Sequence, residues 1–446
     1  MSAELLSLFG KRPACVLDTS ILTDMFTLYL ELTTRFTDAK PGLLLTAFLP
    51  HCAVNLGNRI YMVNNSNRIY PNIWSCVIGP SSVSRKSTAL RYAGYTLAPF
   101  ERGLAAGPLA DYELQTMLLN GTTLAKLMTY LSLNPARLFV HNEISAWLYE
   151  MQKSYNAGYK QVVTEIFDNV DRTVANRERT ERIIRPALSI AAASTEGWLY
   201  KNMLDGADQL SGFLQRMIFF VARNIGVDEI DLSTRVGEDL EEDLAFFDDF
   251  FFSRWRAITG SHRLDLSPEA IAWRDEVYQA DYRRYFAQNN DTLLSYFTRI
   301  FDGYWFKFCI LFQLSLIPHE ELDRANREGA YPALFAAHPV SAQTAARAWE
   351  LCRFYMGNTA PLLDIMDEKD KLANERKVVD LLLNKFGGKA RHSELMNASH
   401  LRKREFHDTV ESLIDREAVT VETYRSTTNT GKMYVLDPGI IKDWSK

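Results

Sequence analysis

Cysteine is scarce in this sequence, and the five present (Cys15, Cys52, Cys76, Cys309, Cys352) stand singly. No CxxC occurs and no Cys/His pair has zinc spacing, so neither a disulfide scaffold nor a structural zinc site is indicated. The scatter fits a reducing cytoplasm. The eight histidines include no metal-spaced pair, and no GxSxG nucleophile motif is present. Long apolar runs are missing too. The most apolar stretch, residues 304–317, contains Lys307 and Gln313 and falls short of the ~20 residues of a membrane span. It reads as a buried core helix. The opening MSAELLSLFGKRP has no apolar core of signal-peptide length. The expectation is a cytoplasmic protein without a membrane partner. An excess of positive charge is also lacking: 50 Lys and Arg face 55 Asp and Glu, for a net charge of -5. Bulk charge therefore does not drive nucleic-acid binding, and any such contact is a local basic patch.

What is present is an ordinary globular balance, 47% hydrophobic and 24% charged, over 446 residues, enough for several domains. Residues 1–57 read as a helical region, with Asp18, Thr19 and Ser20 as caps and Pro41-Gly42 separating two helical runs. Two β-rich runs flank the polar turn 64–67, as in a hairpin. Strand-like runs at 73–78, 138–140, 187–193 and 217–221 then alternate with helical patterns such as 124–133 and 161–167. Such alternation predicts a mostly parallel sheet covered by helices. Residues 238–249 are acidic and aromatic. A nuclease would want such carboxylates, but the interleaved Phe residues read better as an amphipathic helix. Ser267-Pro268 starts another helix. After a charged break at 364–371, the pattern is three helices, the third capped by Ser399, and two strands: the order of a winged helix.

The most informative segment is IGPSSVSRKSTAL, residues 78–90. An apolar strand enters Gly79, passes through a small-residue loop (Pro80, Ser81, Ser82, Val83, Ser84, Arg85), and continues as Lys86-Ser87-Thr88 into a helical run. Small residues let backbone N–H groups turn toward phosphate oxygens, and a helix N-terminus adds its positive end. Lys86 would reach the β- and γ-phosphates, and Ser87 would ligate Mg²⁺. The strict GxxxxGK[ST] spacing is not met. Six residues rather than five separate Gly79 from Lys86, and Arg85 stands where glycine is expected. A Ser-rich strand-to-helix turn with a solvated Arg-Lys pair is the plain alternative.

Later segments fall in the order a P-loop domain requires. The strand at 138–140 runs into His141-Asn142-Glu143; Glu143 would orient the attacking water, and Asn142 stands where a metal-shell Asp is usual. The strand at 188–193 ends in Ser194-Thr195, and Thr195 would sense the γ-phosphate or hold the lytic water. Arg216, before the last strand, would act as an arginine finger or sensor, or else as an ion-pair partner of Asp205 or Asp208.

With Tyr70-Pro71-Asn72, GPSSVSRKST, Asn142-Glu143, RPALSI at 185–190 and SGFLQR at 211–216, the chain resembles a family of mobile-element P-loop ATPases from phages and plasmids, helicase-like and often associated with primases. The resemblance covers roughly residues 40–360. It implies an α/β P-loop NTPase core, RecA/AAA+-like, with flanking helical regions and a C-terminal winged helix: a helical region 1–57, a core 58–230, helices 231–365 and a winged helix 372–446. It implies ATP and Mg²⁺ as cofactors, a homo-oligomer such as a ring, DNA as partner and a primase or replication protein nearby. Lys86, Ser87, Glu143 and Arg216 carry over position by position, while Asn142 departs from the commoner Asp.

Two basic clusters break the acidic background. Arg172, Arg177, Arg179, Arg182 and Arg185 precede the third strand of the core, where an insertion hairpin would meet a phosphate backbone. A solvated hairpin, or ion pairs between subunits, is the alternative. Lys385, Lys389, Arg391, Arg402, Lys403 and Arg404 lie in the winged-helix segment, with Arg425 and Lys432 in its hairpin. Residues 402–404 open the helix that would enter a major groove; many winged helices instead mediate protein contacts. The expected function is an ATPase engaging single- or double-stranded DNA in replication or mobilisation of a mobile element. A nucleotide-switched DNA-binding initiator with little turnover, and the ATPase subunit of an anti-phage system, remain alternatives.

Overall fold

The computed structural model describes residues 16–81, 83–119, 123–152, 158–175, 180–195, 212–222, 239–286, 291–425 and 430–437. The chain divides into two compact units, Met1–Leu363 and Asp364–Lys446.

In the first unit, α1 (Asp24–Thr34) precedes α2 (Pro41–Leu56), and every residue of α2 from Gly42 to Leu56 is buried. Two helical runs are separated as expected, and the Pro-Gly pair opens the second, because proline's fixed φ suits the first helical position and its missing N–H is not needed there. A helix apolar all round belongs inside a fold. Accordingly, α2 is not part of a separate N-terminal region but packs against the central sheet. The hairpin of β1 (Ile60–Asn64) and β2 (Asn67–Ile69) turns through Asn65 and Ser66, both at positive φ, as a tight two-residue hairpin turn requires.

The central sheet starts with β3 (Trp74–Ile78), which leads by a loop into α3 (Lys86–Tyr95). Then follow β4 (Leu118–Leu119), α4 (Leu124–Leu133), β5 (Ala136–His141), α5 (Ile144–Gln152) and α6 (Tyr159–Phe167). An antiparallel pair, β6 (Arg172–Ala175) and β7 (Thr180–Ile183), precedes β8 (Ala187–Ser194), and β9 (Ile218–Val221) closes the set. The five long-range strands are all parallel, in the order β4-β5-β8-β3-β9. Every residue of β3, β8 and β9 is buried, as expected for strands covered on both faces. Alternation along β3 shows the two faces. The Ser75 hydroxyl donates to Thr46 O of α2 at 2.8 Å, whereas Trp74 packs edge-on against Phe167 of α6.

Register aligns the carboxyl ends. Ile78 sits opposite Ser194 and Val221, and His141 opposite Ala192. The segments after β3, β5 and β8 therefore emerge on one edge.

The rest of the unit is helical. Asp239 caps α7 (Leu240–Phe247) by accepting from Glu241 N and Glu242 N, and the helix continues through the π-helical turn Asp248–Phe252. A short β10 (His262–Arg263) pairs parallel with β1, and α8 (Pro268–Phe286) starts at the expected Ser267-Pro268. Next, α9 (Asp291–Arg299) runs through a π-helical turn, Ile300–Tyr304, into α10 (Trp305–Leu316), buried from Trp305 to Leu314. No single helix among the described residues is long and apolar enough to cross a membrane.

α11 (Ala342–Asp380) is a helix through residues 364–371, where the sequence reading expected a break. Glu and Lys are good helix formers, so charge alone does not interrupt a helix. In the second unit, the end of α11 is followed by β11 (Lys389–Arg391), α12 (His392–Ser399), α13 (Lys403–Asp415), β12 (Val419–Arg425) and β13 (Thr430–Leu436). The sheet order is β11-β13-β12, antiparallel throughout. Leu382, Leu395, Phe406, Val410, Leu413, Val419 and Tyr434 form its core. The third helix is not capped by Ser399, which ends α12. His400 then takes a left-handed φ of 52°, and Glu405 accepts from Arg402 N at 3.0 Å to begin α13.

Candidate nucleotide site

The loop between β3 and α3 is built around a close approach. Gly79 N donates to Ser194 O at 3.2 Å, extending the β3–β8 pairing. A Cβ on Gly79 would lie 2.8 Å from Ser84 Cβ and 3.0 Å from Ala222 Cβ, so only glycine fits. Ser84 Oγ donates to Pro80 O at 2.6 Å, closing the loop on itself.

Lys86 folds back over this loop. Its Nζ donates to Gly79 O (2.6 Å), Pro80 O (3.0 Å) and Ser84 Oγ (3.2 Å). Burial lowers its pKa, and the nearby Glu143 carboxylate partly opposes that shift. The lysine is thus a desolvated cation held by loop oxygens, which a phosphate oxygen would outcompete.

Arg85 occupies a left-handed conformation, φ 55°. This is the position where the strict motif has glycine, so the geometry persists without the residue that adopts it most cheaply. The Arg85 guanidinium donates to Asp38 Oδ1 at 2.7 Å, and the Asp38 side chain is only 4% exposed.

Glu143 follows β5. Its Oε1 accepts from Ser194 Oγ at 2.6 Å and from the Ser145 hydroxyl, and the two serine oxygens are 3.1 Å apart. Three elements thus converge on one carboxylate oxygen: the end of β5, the start of α5 and the end of β8. Asn142 is exposed and, with Ser87, Thr88, Arg91 and Val140, lines a cavity of about 390 Å³. Ser87 and Asn142 are neutral oxygen donors. They fit a hard divalent cation whose charge is met mainly by phosphate oxygens. Among the described residues no three His, Cys, Asp or Glu side chains cluster as a metal site.

The expected site residues thus divide. Gly79, Pro80, Ser81, Val83, Ser84, Arg85, Lys86, Ser87 and Thr88 form one loop and helix start; Ser82 lies outside the described residues. Asn142 and Glu143 come to the same sheet edge. Thr195 is there as well, but the hydroxyl on Glu143 belongs to Ser194, and Thr195 offers its carbonyl to Ser194 Oγ at 3.3 Å. Ser145 and Asp38 were not picked out from the sequence, and Ser194 was named there only beside Thr195, which was given the role.

Arg216 lies elsewhere. It precedes β9 and is close to the level of Trp74, since the Tyr304 hydroxyl donates to Arg216 O (2.5 Å) and lies 3.0 Å from Trp74 O. That is the amino edge of the sheet, a strand length of roughly 13 Å from Ile78. Its side chain is 7% exposed and pairs with Asp168 (Nη2 to Oδ2, 2.6 Å); Asp205 and Asp208 lie outside the described residues. Within one chain Arg216 does not reach Lys86.

Of the basic residues expected to meet DNA, Arg182 is exposed on β7, and Arg172 is paired with Glu165. Arg177 and Arg179 lie outside the described residues. In the second unit Arg402, Lys403 and Arg404 are exposed at the start of α13, and Lys432 is exposed on β13. Arg391 is exposed before α12, its guanidinium 5.0 Å from the centroid of the Tyr424 ring. No protein-family model and no curated protein matches this sequence.

Proposed function

We propose that this chain is an ATP- and Mg²⁺-dependent ATPase of the P-loop kind that engages DNA during replication or mobilisation of a genetic element. The observation that carries this reading is the convergence of Lys86, from the loop after β3, and Glu143, from the end of β5, at the carboxyl edge of a parallel sheet with β8 between their strands. Ligands of open parallel sheets bind at that edge, where connections leave in opposite directions. The path over the sheet supports it: from β3 the chain goes to the far strand β4, returns through β5 and β8, and crosses to β9. In this reading Lys86 and the metal neutralise phosphate charge, Ser87 and Asn142 hold the metal, and Glu143, fixed by Ser145 and Ser194, orients the water. Arg216 would act only on the site of a neighbouring subunit, after leaving Asp168. A homo-oligomer is therefore part of the proposal.

The second unit supports the DNA half. A helix, a short strand, two helices and a two-stranded hairpin, with sheet order β11-β13-β12, agree with a winged helix. Its α13 presents Arg402, Lys403 and Arg404 at the end that would enter a groove.

The test is DNA-stimulated ATP hydrolysis by the full chain, Lys86→Ala and Glu143→Gln. Turnover should fall at least a hundredfold in both, with nucleotide affinity at this site lost only in Lys86→Ala. A second reading, a nucleotide-switched DNA-binding initiator, is favoured by the neutral, exposed Asn142 beside Ser87. It predicts ATP-dependent DNA binding with no measurable turnover in the unsubstituted chain. Turnover unaffected by both substitutions would refute the site.

A further inference from the structure

A cavity of about 960 Å³ opens at the amino edge of the central sheet, the end opposite Lys86. Four cations line it: Arg68 of β2, Arg185 before β8, Arg299 at the end of α9 and Lys307 of α10. Two carboxylates face them, Asp168 and Asp302. Asp168 is already shared, by Arg216 at 2.6 Å and Arg299 at 3.1 Å. Asp302 Oδ1 accepts from Asn64 Nδ2 at 3.3 Å. The wall therefore carries an excess of positive charge.

Two further features point to a ligand. Lys307 is 2% exposed, and its Nζ donates to Tyr70 O (3.0 Å), Asn72 O (2.8 Å) and Asn72 Oδ1 (2.7 Å). Those partners are neutral oxygens, so the ammonium has no carboxylate in hydrogen-bond contact, and burial brings its pKa down to about 7. An anion in the cavity would supply the missing counter-charge. Secondly, the Tyr70 hydroxyl, buried in the same wall, faces the Arg68 guanidinium, which can only donate to it, so its own O–H has no acceptor. A buried O–H without an acceptor is costly, and an anion in the cavity would supply one.

Backbone strain falls here too. Arg185 has a φ of 49° immediately before Pro186, and the π-helical turn Ile300–Tyr304 brings Asp302 and Gly303 into the wall. Such conformations concentrate at functional sites.

The geometry points to a second ligand site at this edge, taking a phosphate-bearing small molecule of nucleotide size. Planar guanidinium groups match phosphate oxygens in pairs. The exposed Asn67 amide and the Ser66 hydroxyl offer polar contacts to the rest of the molecule, and the volume lies in the small-molecule range.

The test is calorimetric titration of the full chain with ADP and with pyrophosphate. The unsubstituted chain should bind at two sites and Lys86→Ala at one. Adding Arg68→Glu and Arg185→Glu to Lys86→Ala should weaken the remaining site at least tenfold, and Tyr70→Phe severalfold. ADP and pyrophosphate binding alike means that the phosphates alone are read; ADP binding only means that the nucleoside is read as well. One site in both the unsubstituted chain and Lys86→Ala, lost on charge reversal, would uphold this site and sink the Lys86 site instead. Absence of any site in Lys86→Ala overturns the inference, as does a remaining site indifferent to both sets of substitutions, or one that takes only a single-stranded oligonucleotide. Tyr70→Phe removes a single oxygen atom, so it carries the test if the charge-reversed chain does not fold.

Discussion

The Lys307 ammonium is enclosed among carbonyl and amide oxygens, and burial brings its pKa from an ordinary 10.5 to about 7. Below pH 7 both folded and unfolded chains hold the proton, and folding carries the full cost of burying the charge. Between 7 and 10.5 the folded chain has released the proton while the unfolded chain keeps it. The unfolded state then binds more protons, so stability rises with pH. Integrated from pH 7 to 8.5, the gain is about 1.5 kcal/mol. Other groups with displaced pKa values act mostly elsewhere. Buried His51 and His141, both lowered to about 4, act below pH 6.5. Arg137, lowered to about 10, acts above that value, and the buried thiols of Cys52, Cys309 and Cys352, pushed up, act with the opposite sign at alkaline pH. Lys86 is lowered as well and adds a rise of the same sign. The perturbation is therefore Lys307→Gln, which keeps an amide donor for the surrounding oxygens but cannot titrate. Urea unfolding followed by tryptophan fluorescence at pH 7, 7.5, 8 and 8.5 gives the slope for each protein. The unsubstituted chain should gain about 1.5 kcal/mol more than Lys307→Gln over that range. Equal slopes would refute a buried, proton-releasing Lys307.

Ser194→Ala, which removes the 2.6 Å bond to Glu143, should lower single-turnover hydrolysis about tenfold without weakening nucleotide binding, and Thr195→Ala should do less; the reverse ranking would move the water-positioning role to Thr195. Arg85→Gly relieves a left-handed backbone but strands the buried Asp38 carboxylate, so it should destabilise by on the order of 2 kcal/mol in thermal unfolding, and adding Asp38→Asn should restore most of that loss. Gly79→Ala forces a Cβ to within 2.8 Å of Ser84 and should abolish nucleotide binding at the Lys86 site, leaving only the second site, in a titration that leaves Thr195→Ala unaffected. Replacing Arg402, Lys403 and Arg404 by Ala should reduce the slope of log affinity against log salt for duplex DNA by about 2–3, and an unchanged slope would remove α13 from the interface.

Strands β3, β5, β8 and β9 were legible because a strand buried on both faces is a short continuous apolar run. The edge strand β4 and the strand β10 are two residues each, too short to leave a periodicity. The charged run at 364–371 misled because composition marks solvent exposure, not helix ends. Lys86 and Glu143 were readable from strand-end position alone. Their supports were not, since Ser145 and Ser194 are ordinary residues until β5 and β8 are paired in register. Arg216 illustrates the same limit: its position before β9 was visible, but its partner Asp168 lies 48 residues away, and only strand direction assigns it to the opposite edge.

The buried α2 has a consequence for how the protein is made. Its whole apolar surface is complete once residue 56 has been synthesised, yet the last strand it packs on, β9, ends at Val221. At ordinary translation rates, on the order of 10–30 s pass between the two events. Throughout that interval the nascent chain carries an apolar helix whose partners arrive one by one, with β3 at residue 78, β5 at 141 and β8 at 194. Expression yield should therefore depend on chaperones that hold early chains, and a chain shortened to begin after residue 57 should lose the middle of the fold, not a dispensable extension.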